Sequence, residues 1–71
     1  MPRLRVLSGR EVCMLLAKHG FVQVRQKGSH VIMKNESTGR TVPVPDHPEL
    51  ARGTLGSIIR QSGLDKSLFE E

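Results

Sequence analysis

Tryptophan and tyrosine are absent from this 71-residue sequence, and phenylalanine occurs only at Phe21 and Phe69. Modules that grip single strands by stacking bases on exposed rings need several such side chains, so RRM-like and OB-like platforms are excluded. Cysteine occurs once, at Cys13, which rules out an internal disulfide and any cysteine-rich zinc site. The small domain must therefore hold together by packing, as suits a reducing cytoplasm. No apolar run approaches the roughly 20 residues of a membrane span, and the stretch Met1–Leu7 is too short for the apolar core of a signal segment. A soluble cytoplasmic protein is expected. His-x-x-His spacing is missing and the acids are scattered, so the residues suggest no metal or other cofactor.

What the sequence does have is an uneven positive charge. The formal net charge is +4, with seven Lys/Arg against one acid over residues 1–34 and four against six over residues 35–71. A basic half points to a polyanion held through phosphate contacts, or to a solvated basic surface. A domain of this size buries only about 60% of its unfolded surface. With so thin a core, residues 1–71 are expected to form a single domain that works on an open face, suited to a polymer or protein ligand.

Ser8-Gly9-Arg10-Glu11 has the S-x-x-E spacing of a capping box, and Val12, Leu15 and Leu16 follow at helical spacing, which predicts a helix over about 9–19. Gly20 reads as its left-handed terminator, with Phe21 folding back on Leu16. The period then becomes two. Val22 and Val24, alternating with Gln23, Arg25 and Lys27, predict a strand with the valines on its buried face. Gly28 permits a tight turn into His30-Val31-Ile32-Met33-Lys34, and Asn35–Gly39 supplies a polar hairpin loop before a third strand over Arg40–Val44. Pro43 lacks an amide donor, which places that strand at an edge or ends its ladder there. After Pro45-Asp46-His47-Pro48, a second helix carries Leu55, Ile58 and Ile59, ends at Gly63-Leu64, and leads to a last short turn capped by Asp65. The order helix, three strands, helix predicts an α+β fold: a three-stranded antiparallel meander with both helices packed on one face.

The chemistry concentrates in Arg25-Gln26-Lys27-Gly28-Ser29-His30. A glycine turn there holds an imidazole at the sheet margin near two cations. A free imidazole titrates near pH 6.5, so it can take a proton from a ribose 2′-hydroxyl or give one to a leaving oxygen, while the cations stabilise charge on a phosphate. A lone surface histidine is more often inert, and three letters do not make a site. His47, held stiffly between Pro45 and Pro48, is the secondary candidate. His19 complements the last turn of the first helix, Cys13 reads as a small hydrophobe, and both phenylalanines read as core.

Taken together, Leu15–Phe21, Arg25-Gln26-Lys27-Gly28-Ser29-His30, Val42-Pro43-Val44-Pro45 with His47, Gly53-Thr54-Leu55 and Ile58–Leu64 resemble the HicA toxin family. The resemblance spans nearly the whole chain. It implies a fold like the double-stranded RNA-binding domain, α-β-β-β-α, in agreement with the order read from the residues. It also implies an endoribonuclease that cleaves mRNA without a metal as the toxin of a type II toxin–antitoxin module. His30 would then be catalytic, with Arg25, Lys27, Gly28, Ser29 and Lys34 binding RNA, and a HicB-type antitoxin would cover the His30 face. Two other readings use the same face: a non-catalytic RNA-binding domain, and a protein-interaction module that meets an acidic partner.

Overall fold

A computed structural model describes residues 2–71. Helix α1 spans Gly9–Lys18 and opens on the expected capping box. The Ser8 hydroxyl accepts from the Glu11 amide at 3.1 Å, and the Ser8 amide donates to the Glu11 carboxylate at 2.8 Å. Strands β1 (Phe21–Lys27), β2 (His30–Asn35) and β3 (Thr41–Pro45) follow, then helix α2 (Arg52–Ser62) and a 3₁₀ turn over Lys66–Phe69. The sheet is antiparallel in the order β1-β2-β3, so β3, with its two prolines, lies at an edge as expected. This is the α-β-β-β-α architecture, with both helices against one face of the sheet. Among the described residues no helix is long and apolar enough to cross a membrane.

One core joins the layers. Val12 and Leu16 of α1, Leu55, Ile58 and Ile59 of α2, and Phe21, Met33, Val42 and Val44 of the sheet pack together with Leu7, Leu50 and Phe69. Both helices end at the expected glycines, Gly20 with φ 93° and Gly63 with φ 71°. Phe21 and Leu64 pack back on the core after them, Phe21 buried and Leu64 half-buried. The Asp65 carboxylate accepts from the Ser67 amide at 2.9 Å, the cap expected of that last turn.

The faces of β1 are the reverse of the expectation. Val22 and Val24 are 50% and 46% exposed, whereas Phe21 is 1% exposed and carries this strand's share of the core. The register gives the reason. Val22 stands opposite Lys34, and Lys34 opposite Thr41, a row on the open face; Gln23, Met33 and Val42 form the next row, turned toward the helices. Arg25 then pairs with Ile32, so Val24 is an extra residue, a β-bulge. Simple alternation would send Arg25 and Lys27 to the same side as Gln23. The bulge shifts the phase by one and turns both cations onto the open face.

The third strand also starts one residue later than expected. Arg40 instead extends its guanidinium to the Gln61 carbonyl at 3.3 Å, placing a cation at the C-terminal end of α2. At the C-terminal end of α1, the Asn35 side-chain amide donates to the His19 carbonyl at 3.4 Å. The N-terminal segment forms a pairing that the sequence did not announce. Arg5 donates its amide to the Phe69 carbonyl at 2.9 Å, Glu71 donates to Arg3 at 3.1 Å, and Leu4 bridges to Glu70. Buried Leu7 is fixed there by the Leu50 amide bonded to its carbonyl at 2.9 Å.

The reversed faces give the first prediction. Phe21→Ala is expected to cost about 3–5 kcal/mol, as for a buried aromatic. Val22→Ala should stay within about 0.5 kcal/mol, as for an exposed position. Urea denaturation of both variants decides it, and a larger loss from Val22→Ala would contradict the observed register. The cap gives a second prediction. The backbone and hydroxyl bonds from Ser8 hold the Glu11 carboxyl below its ordinary range. A folded value below the unfolded one stabilises the protein above the unfolded pKa, and that contribution is lost as pH falls through the lowered folded value. Glu11→Gln should therefore flatten part of the acid limb in a plot of melting temperature against pH and leave the neutral limb unaltered in shape.

Candidate active site

The turn between β1 and β2 consists of Gly28 and Ser29. Gly28 has φ 60°, and among the described residues none other than glycine has a positive φ, so only the first central position is left-handed, as in a type II′ turn. That geometry suits the right-handed twist of the strands, and it sets Lys27 directly opposite His30 in the register. Directly opposed residues keep their Cβ atoms about 5 Å apart on a common face. Lys27 and His30 are both exposed, and Pro45 continues their row on β3. The next row on this face is Arg25, Ile32 and Pro43. The Gln26 side chain donates to the Gly28 carbonyl at 3.3 Å and ties down the turn.

Of the residues expected at the site, Arg25, Lys27, Gly28, Ser29 and His30 come together at this end of the sheet. Lys34 lies on the same face but four residues along β2 from His30, about 13 Å away at strand spacing, so it belongs to the far end of the surface. There, Val24, Arg25, Ile32, Lys34, Glu36 and Thr41 line a depression of about 350 Å³. His47 is exposed and shares the His30 end of the molecule. The Asp46 amide, next to it in the chain, donates to the Ser29 carbonyl at 2.7 Å, so the loop following β3 is bonded to the turn that presents His30. Among the described residues no group of three His, Cys, Asp or Glu side chains could hold a metal ion.

Two further residues, Gly9 and Arg10, support this end, and their sequence context gave them no such part. The Gly9 amide donates to the His47 carbonyl at 2.9 Å, which seats the start of α1 against the loop. A Cβ at Gly9 would overlap the Pro45 carbonyl oxygen, so this close approach needs glycine. Arg10 pairs with Asp46 at 3.8 Å, an exposed contact worth little in stability but one that adds a cation at this margin. The only signal in the sequence was the glycine itself, at a first helical position where it has no intrinsic advantage. Cys13 is half-buried. Burial, and then the Asp46 charge, push its thiol up, as expected of a thiol that plays no part in the chemistry.

Fold and site together define an α+β domain that holds an exposed histidine on a cationic hairpin, with the opposite sheet face given to the core. A family model described as "HicA toxin of bacterial toxin-antitoxin" matches residues 9–64, which include both helices, the whole sheet and the His30 turn. The chain belongs to the HicA toxin family, and as a toxin of a toxin–antitoxin system it has an antitoxin as its counterpart. A search of curated proteins found no match.

The support beneath the site is testable. Gly9→Ala should cost about 1–3 kcal/mol, because the added methyl must push Pro45 aside. The displacement should reach the Asp46–Ser29 bond. Amide chemical shifts of Ser29, His30 and His47 should move more than those of residues 36–40 at the opposite end. Shifts confined to α1 would show that the helix start and the turn are not coupled.

Proposed function

We propose that this toxin is a metal-independent endoribonuclease that cleaves mRNA in the cytoplasm, with His30 as its general acid–base group. The observation that carries the reading is the register. It sets an exposed imidazole beside the Lys27 ammonium on an open face with Arg25 in the adjacent row. An imidazole with cations at hand suits transfer within a phosphodiester, and an open face suits a polymer. Arg25 and Lys27 take the phosphates flanking the scissile bond, and Lys34 takes one farther along. Gly28 and Ser29 give the turn its shape and offer backbone and hydroxyl groups to the same phosphate.

In the reaction, His30 accepts the proton of the ribose 2′-hydroxyl as that oxygen attacks the adjacent phosphorus. The bond from phosphorus to the 5′-oxygen breaks. The leaving oxygen takes a proton, either the one His30 has just accepted or one from His47. The products carry a 2′,3′-cyclic phosphate and a 5′-hydroxyl, and no redox change occurs. The antitoxin covers the His30 face, setting acidic groups against Arg25 and Lys27. Exposed Val22 and Val24 offer it apolar area on the same surface.

His30→Ala should lower cleavage of single-stranded RNA about 10²–10⁴-fold, the usual worth of a positioned acid–base group, while a chelator leaves the parent rate unchanged. End analysis of the products should find cyclic phosphate. Induced alone in bacteria, the parent chain should arrest growth and the His30→Ala chain should be tolerated. Salt-sensitive RNA binding without scission by the parent would instead make the chain a binding domain. His47→Ala separates the two proton routes: an altered basic or acidic limb of the pH–rate profile assigns His47 a part, and an unchanged profile leaves His30 alone.

A further inference from the structure

Away from the open sheet face, the N-terminal segment and the first turn of α2 enclose a groove of about 530 Å³. That volume falls within the roughly 300–1,000 Å³ of small-ligand sites. Arg3, Arg5 and Arg52 line its walls. Arg3 is shared with Glu71 at 3.8 Å, but neither Arg5 nor Arg52 forms an ion pair among the described residues. Leu50 and Leu55, which belong to the core, supply an apolar wall, and Val6 beside them is 73% exposed. Glu49 adds a carboxylate able to accept from a ribose hydroxyl or an exocyclic amine.

We propose that this groove is a nucleotide subsite for single-stranded RNA, holding a nucleotide that flanks the bond presented to His30. The inference rests on the reading of the chain as an RNA-cleaving toxin. Two observations support it. First, both phenylalanine rings are buried, Phe21 at 1% and Phe69 at 0% exposure, so neither can take a base. A guanidinium plane does both jobs, since it pairs bidentately with phosphate and stacks on a base. Second, the groove continues the chain that leaves the His30 row. Pro45 stands opposite His30, Asp46 is bonded to Ser29, and Glu49 is already on the groove wall. Glu49 lies four positions on from Pro45, at most about 14 Å of extended backbone. The groove therefore lies within a few nucleotides of the His30 row.

The test measures fluorescence anisotropy of a labelled single-stranded RNA of roughly a dozen nucleotides, within the span of small single-strand sites. The protein is the full chain carrying His30→Ala, so that the RNA is not consumed. Arg5→Gln and Arg52→Gln should each weaken binding about tenfold, the effect of losing a stacked or paired base contact. Each should also lower the slope of log affinity against log salt by about 0.7. Arg60→Gln removes the same charge from an exposed position in the later turns of α2 and should change little. Equal losses in all three variants would reduce the effect to net charge and overturn the proposal. Retained RNA affinity with lost capture of the antitoxin would also overturn it, by giving the groove to a protein. Failure of the parent chain itself to bind RNA at any salt would defeat the RNA-cleaving reading, so the parent measurement tells the two failures apart.

Discussion

The single extra residue at Val24 decides which chemistry this sheet displays. A strand's side chains alternate, so a one-residue shift in phase exchanges its faces from that point on. Before the bulge, Phe21 and Gln23 turn toward the helices; after it, Gln26 does, and Arg25 and Lys27 turn outward. Without the bulge, the Phe21 ring could stay in the core only if both cations entered the helix side, beside Val31, Met33 and the apolar face of α1. Burying unpaired cations there would cost several kcal/mol. The bulge lets one short strand anchor the core at its start and present charge at its end. It also sits on an edge strand, where a bulge and outward cations discourage pairing with another sheet.

The end that carries His30 is built by backbone bonds more than by side chains. The type II′ turn at Gly28-Ser29, the Asp46–Ser29 bond, and the contact of Gly9 with Pro45 and His47 link four pieces of chain: the hairpin, the loop after β3, β3 itself and the start of α1. Side chains projecting from such a frame can be solvent-exposed and still be held in place. That matters in a thin-cored domain. His30 lacks the buried surroundings that position a group in a larger enzyme, and its position instead depends on hydrogen bonds of 2.7–2.9 Å made by its neighbours.

Much of the fold was legible because local chemistry and long-range packing agree. Ser8 with Glu11, Gly20 with Phe21, and Gly63 with Leu64 each carry a start or stop signal whose cause is local, and all three appear where the sequence placed them. The faces of β1 were not legible. Two valines at alternate positions imitate a buried face, and a bulge is a property of the pair of strands that neither strand reveals alone. The N-terminal pairing escaped for a similar reason: Arg3–Arg5 and Phe69–Glu71 are too short and too polar to read as strands, and only the folded core brings them together. At the site, Gly28 and His30 could be read from the hairpin. The common face of Lys27 and His30 followed from the register, and the part played by Gly9 followed from a close approach that no spacing encodes.

The antiparallel order also divides the molecule into two dissimilar ends. Loop 36–40 and the last turns of both helices share one end, and their carbonyl groups are met from within the chain: Asn35 bonds His19 and Arg40 bonds Gln61. That end is closed, and its partial negative charge is partly answered. The turn at Gly28-Ser29, the loop 46–51 and the first turns of both helices share the other. There the charges of Arg10, Lys27 and Arg52 are set out at the surface together with the acids Glu11, Asp46 and Glu49. The chain's net charge of +4 is therefore less informative than its placement. The end where the backbone is already satisfied carries structure although Lys18, Arg40 and Arg60 lie there too, so what distinguishes the other end is the helix starts and the exposed Lys27–His30 row rather than the number of its cations.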